Sequence, residues 1–195
     1  MFRIVFAALL FTTGCAAQKA WVPPATTTEP EVTLVWVGRG ECERFVDGAW
    51  VRAPQFDYDF SVEQRRLGDH WESVKSLRRR HPDYDGSAGE RLQTWFFHLE
   101  FDAAGSPVPL RIASSLGKGT GSTDGQFRKA SLELAAEVSS LAPFDRYRIV
   151  QDYRYEEGRL DEVVSLDKGN TPWVRNVEHA TLFAKHTFAE PPTKR

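Results

Sequence analysis

The chain has 195 residues and a mass of 22.1 kDa, room for one domain of ordinary size. Its 25 basic and 27 acidic residues leave a formal charge of -2, which lacks the dominant basic field of a general nucleic-acid binder. Hydrophobic residues make up 41% and charged residues 27%, a globular composition, and two cysteines are too few for a disulfide scaffold or a Cys-rich zinc site.

The N-terminus, MFRIVFAALLFTTGC, is organised as a secretory signal, with Arg3 as its basic start and Ile4 to Phe11 as its apolar run. That run is too short to span a bilayer as a helix. With Thr13 and Gly14 ahead of Cys15, the segment resembles the lipobox of bacterial lipoproteins; Thr12 stands where that family usually has Leu. The resemblance implies a signal peptide over 1–14 and a lipidated Cys15 as the mature N-terminus. With Ala16 next, it also implies sorting to the outer membrane, the domain facing the periplasm. The lipid on Cys15 is then the contact with the membrane. Residues 15–30 form a Pro/Thr-rich tether, 31–188 a single β-rich α+β domain, and 189–195 a disordered tail.

Within the domain, Glu31 to Val37 is rich in Val, Leu and Trp and reads as a strand. Asp47-Gly48 between two β-prone runs predicts a hairpin over 43–52, because both turn positions need positive φ. Phe56, Tyr58, Phe60 and Val62 alternate with polar residues, the period of a strand with one buried face. Segment 62–80 admits two readings. Leu67, His70, Trp71, Val74 and Leu77 share a helical stripe behind a Ser61/Gln64 capping box, whereas Gly68-Asp69 suits a hairpin turn. Alternation returns around Trp95 to Phe101 and Val108 to Ile112. A helix is predicted over 124–141, where Phe127, Ala130, Leu134, Val138 and Leu141 share a face, Thr123 and Gln126 cap it and Pro143 ends it. Strands follow over 147–155, 160–166 and 173–188. The expected fold is α+β: a curved antiparallel meander with one or two helices packed on one face.

Few motifs carry chemistry. Gly117 to Gly125 lies where a phosphate loop would lie, but the spacings of both the Walker A loop and the dinucleotide fingerprint fail, so a mobile loop without nucleotide is expected. Ser115-x-x-Lys118 lacks the companion elements of a serine acyl-enzyme. His81, Asp83 and Asp85 are the weak candidates for a metal, although the twelfth position of a calcium loop is Thr94. The other reading of that patch is an Asx-rich turn. Arg65, Arg66, Lys75, Arg78, Arg79 and Arg80 read as a solvated helix face, the other reading being a basic cluster that meets anionic lipid or lipopolysaccharide. Cys42 reads as a small buried residue.

The expected function is a non-enzymatic binding or envelope-assembly role, with an envelope protein or lipid as partner and no nucleotide, nucleic acid or cofactor. Two alternatives remain open: a carrier of a hydrophobic ligand or lipid in a cavity between sheet and helix, and a hydrolase without a recognisable motif.

Overall fold

Along most of these strands apolar side chains alternate with polar ones, and closing the sheet on itself gives the apolar set one interior. A computed structural model describes residues 32–67, 70–101, 107–124, 126–136 and 144–187. Residues 1–31, with the expected signal, Cys15 and tether, and residues 188–195, with the tail expected over 189–195, lie outside them. The strands are β1 (Val32–Val46), β2 (Ala49–Arg52), β3 (Tyr58–Leu67), β4 (His70–Arg79), β5 (Leu92–Phe101) and β6 (Val108–Ser114). They continue as β7 (Gly117–Thr123), β8 (Lys129–Ala136), β9 (Arg146–Arg154), β10 (Arg159–Lys168) and β11 (Thr171–Thr187). Ten of them, all but β2, form an antiparallel barrel in chain order, and β11 closes it by pairing with β1 from Val32↔Thr187 to Arg44↔Val174. The short β2 folds back on the end of β1. Its turn is the predicted Asp47-Gly48 pair, with φ of 50° and 84°.

The α+β expectation is overturned: the fold is an all-β barrel, and among the described residues the single helical element is the 3-10 turn Pro54–Phe56. Within the predicted helix over 124–141 lies strand β8, preceded by a hydrogen bond from Phe127 N to Asp124 O and followed by residues outside the described set. Ala130 and Leu134 are four apart, a spacing that fits a helical stripe and a strand face equally well. Leu132 decides between them: it is buried with both, and on a helix it would point to the opposite side. Segment 62–80 is the hairpin β3–β4, with Leu67↔His70 at its end. The supposed capping residues Ser61 and Gln64 are strand residues facing opposite sides of the sheet.

The Gly-rich stretch is not a loop but strand β7, hydrogen-bonded to β6 and β8. A Cβ on Gly119 would lie 1.8 Å from the Glu133 carbonyl oxygen, and one on Gly121 would lie 2.3 Å from that of Ser131. The glycines allow close approach of β8.

The core is the barrel interior, led by Trp36, Tyr58, Leu77, Leu110, Leu134, Tyr147 and Tyr153. One end is plugged by Phe127, which stacks on Trp71 at 4.8 Å between ring centroids and meets Phe101 and Tyr153 edge-on or tilted. Its backbone has φ of 53°, a left-handed conformation that costs about 1–3 kcal/mol in a non-glycine residue. The ring contacts offset that cost. The opposite end is bounded by segment 80–91 and by Phe144, Trp173 and Val174.

Candidate functional site

Polar side chains break the apolar alternation at inward positions of five strands. Lys75 on β4 is fully enclosed, and its Nζ lies 2.6 Å from Glu162 Oε1 on β10 and 2.5 Å from Glu178 Oε2 on β11. Gln151 donates to the second Glu162 oxygen at 2.5 Å, and Tyr58 donates to the second Glu178 oxygen. Beside this group, Gln64 accepts from Trp36 Nε1 at 2.9 Å and donates to Tyr153 at 2.6 Å. One ammonium between two carboxylates leaves an excess negative charge in a low-dielectric interior. Glu178 carries the consequence: burial pushes its pKa up from 4.5 to about 7, with Glu162 repelling in the same direction and Lys75 opposing. Glu162 is held below its usual value, since Lys75 and Gln151 stabilise its charge against the burial that opposes it.

The cavity beside this network is about 40 Å³, lined by Lys75, Glu162, Gln64 and Gln151 among aromatic and aliphatic residues. It has room for water, not for an acyl chain. Among the described residues there is no α-helix against which the expected cavity between sheet and helix could form.

Beyond Trp95 and Tyr147, which line both spaces, the open end holds a larger pocket of about 310 Å³. That is the lower end of the range for small-ligand sites. Phe56, Trp95, Phe144, Tyr147, Leu166 and Trp173 make its apolar walls; Arg44, Arg79, Gln93 and Asn176 supply polar groups; no Asp or Glu lines it among the described residues.

Arg79 is the unusual member. It is the last residue of β4 and is buried, 8% exposed. One guanidinium nitrogen donates to the Phe56 carbonyl, and the group lies 5.0 Å over the Tyr58 ring and 5.7 Å over that of Tyr84. Its Nε is buried without a hydrogen-bond partner, and no carboxylate among the described residues pairs with it. The nearby Asp57 is already held by Arg52 at 2.9 Å, by Arg80 at 3.4 Å and by the Cys42 amide. Asn176 Oδ1, on the same pocket, is also buried without a partner. Both residues line the same pocket, and their unpaired donor and acceptor suit a ligand with a negative group and a hydrogen-bond donor.

The sequence candidates fall differently. His81, Asp83 and Asp85 do not form a metal-capable cluster among the described residues. His81 Nδ1 accepts from the Asp83 amide at 3.2 Å, and Asp85 accepts from the Ser87 amide at 2.9 Å, so the patch is a set of local turns. The Ser87 bonds hold the Asp85 carboxyl below the usual carboxylate range. Those turns form part of the pocket rim, where Tyr84 donates to Gly89 O at 2.7 Å and Ala88 N donates to Tyr84 at 3.0 Å. The basic run 65–80 is not one solvated face, because strand alternation turns Lys75 and Arg79 inward and Arg65 and Arg78 outward. Cys42 is buried as expected, and burial pushes its thiol up to about 11, so it is uncharged at neutral pH. Ser115 sits in the turn before β7 and accepts from the Phe96 amide at 3.0 Å; Lys118 is exposed on β7.

The inward polar set was absent from the sequence reading. The signal for part of it is present: in Leu160-x-Glu162-x-Val164-x-Leu166 and Asn176-x-Glu178-x-Ala180, polar residues occupy the apolar phase of a strand.

No protein-family model matches the chain, and no curated protein matches its sequence. Among solved structures, the crystal structure of Rv2717c from M. tuberculosis is similar, with a TM-score of 0.50 and 15% identity. The match covers 77% of this chain and 91% of that one. At that identity the likeness is one of fold alone.

Proposed function

We propose that this chain is an envelope lipoprotein that binds a small organic anion in the open end of its barrel. The observation that carries the reading is Arg79, a buried guanidinium with an unpartnered Nε and no carboxylate paired with it among the described residues. A buried charge without a counter-charge is costly, and a bound carboxylate supplies both the charge and the acceptor. Asn176 asks for a donor on the same ligand, and the Trp95, Phe144 and Trp173 walls ask for a flat apolar body. The role is binding: the pocket's thiol is uncharged, and no nucleophile–base pair lines it among the described residues.

What supports the location is the lipobox-like segment ending at Cys15, with Ala16 after it. The tether lets the domain stand off the outer membrane on its periplasmic side and sample small solutes.

The test is calorimetry on the detergent-solubilised protein with para-hydroxyphenylacetate and its neutral amide. The carboxylate is expected to bind at least about ten-fold more tightly, and Arg79→Met to abolish that preference. Equal affinities, or a preference that survives Arg79→Met, would overturn the reading.

A further inference from the structure

On the outer face of the barrel, at the plugged end, three side chains converge that the anion site does not use. His70 and Glu72 are two apart on β4, so both project outward, and Glu72 is the direct cross-strand partner of His98 on β5. Each of the three brings one donor atom within 4.8 Å of the others. The two imidazole rings lie 4.9 Å apart, tilted by 40°. Donors around a tetrahedral zinc ion, at bonds of about 2.0–2.1 Å, stand about 3.3 Å from one another, so rotamer adjustments of an ångström or so complete the geometry.

His98 supplies a separate argument. Its side chain is 15% exposed, and its Nε2 faces Glu100 Oε1 at 3.5 Å. Glu100 is itself held by Arg111 at 3.3 Å. The other nitrogen, Nδ1, is buried with no hydrogen-bond partner. A carboxylate facing one ring nitrogen favours the hydrogen on that side and a lone pair on the other, the arrangement that suits a ligating histidine.

We infer that His70, Glu72 and His98 form a binding site for a late first-row divalent cation, zinc foremost. Two imidazoles and one carboxylate are borderline ligands that suit zinc over calcium or magnesium, which prefer all-oxygen sets. Three protein ligands leave a fourth position for water or for a donor from a partner. The site lies at the opposite end of β4 from Arg79, so it stands or falls independently of the anion reading.

The experiment is a zinc chloride titration of the EDTA-stripped, full-length protein by calorimetry, with wild type, His98→Ala, Glu72→Gln and His179→Ala compared. His179 is an outward histidine paired with Asp161 at 2.6 Å and serves as the control. One zinc per chain is expected at micromolar affinity, weakened at least about ten-fold by either ligand substitution and unchanged by the control. A readout on the unmodified protein guards against misfolded variants: zinc is expected to shift the His70 and His98 imidazole resonances and leave that of His179 in place. Absence of saturable binding, affinity that survives His98→Ala, or resonance shifts elsewhere would overturn the assignment.

Discussion

Tyr58 donates its phenolic hydrogen to Glu178 inside the barrel, joining β3 to β11 across 120 positions of sequence. Lys75 reaches the other oxygen of the same carboxylate, so Glu178 is held on both sides while its charge is disfavoured by burial. The Tyr58 hydroxyl is kept protonated well above its usual range, chiefly by burial and also by the Glu178 charge.

The first expected outcome concerns pH. Glu178 has a folded-state pKa raised from 4.5 to about 7, so its contribution to stability is fully present below 4.5 and is lost as pH rises through about 7. Glu162 is lowered, so its contribution is present above 4.5 and is lost as pH falls below that value. Together they favour a stability maximum near the ordinary carboxylate value of 4.5, with stability falling on either side. Denaturant midpoints are expected to fall between mildly acidic and mildly alkaline buffer, and Glu178→Gln is expected to flatten that fall. A slope unchanged in Glu178→Gln would place the titration elsewhere.

Much of the barrel was legible because its strands alternate with period two. Tyr58 to Val62, Trp95 to Phe101 and the Asp47-Gly48 turn announce themselves locally. Two things were not legible. Apolar residues four apart do not separate a helix from a strand, and at 124–141 the caps tipped the choice toward a helix. Closure was the second: pairing of β1 with β11 links residues 130 to 155 apart, and nothing local encodes it. The site suffers from both. Lys75 and Arg79 looked like members of a basic helix face until the strand period turned them inward. Glu162 and Glu178 meet Lys75 only once β10 and β11 have curled round to face β4.

Strand β8 can be tested by its own alternation. Leu132 and Leu134 are both buried, 4% and 1% exposed, and Glu133 between them points outward to Arg146 at 3.8 Å. Leu132→Ala and Leu134→Ala are each expected to cost about 2–5 kcal/mol, through lost transfer energy and the cavity left behind. Glu133→Ala is expected to cost under about 0.5 kcal/mol. On a helix only one of the two leucines would be costly. Urea denaturation of the three variants decides, and a cheap Leu132→Ala would speak against the strand.

The anchor is tested away from the barrel. Cys15→Ala is expected to abolish incorporation of a palmitate analogue and to release the protein from the membrane fraction, because a buried acyl methylene is worth about 0.8 kcal/mol and an acylated cysteine carries many. Retained label in Cys15→Ala would refute lipidation at this residue.

The last expected outcome separates stability from function at Arg79. Where a buried ion pair loses one partner, the cost is about 3–5 kcal/mol, because a charge is stranded. Arg79 has no carboxylate partner among the described residues, so removing it strands no charge. Arg79→Met keeps the length and apolar stem of the side chain, giving up one bond to the Phe56 carbonyl and the contacts with Tyr58 and Tyr84. Against those losses stands relief from a desolvated charge, so the ligand-free variant is expected to match the wild type within about 1 kcal/mol. Added carboxylate should then raise the thermal midpoint of the wild type and leave that of Arg79→Met in place, as binding to the folded state alone requires. Thermal melts with and without para-hydroxyphenylacetate read both quantities. A variant destabilised by about 3 kcal/mol or more without ligand would mean that Arg79 serves the fold, and the unpaired nitrogen would no longer argue for an anion.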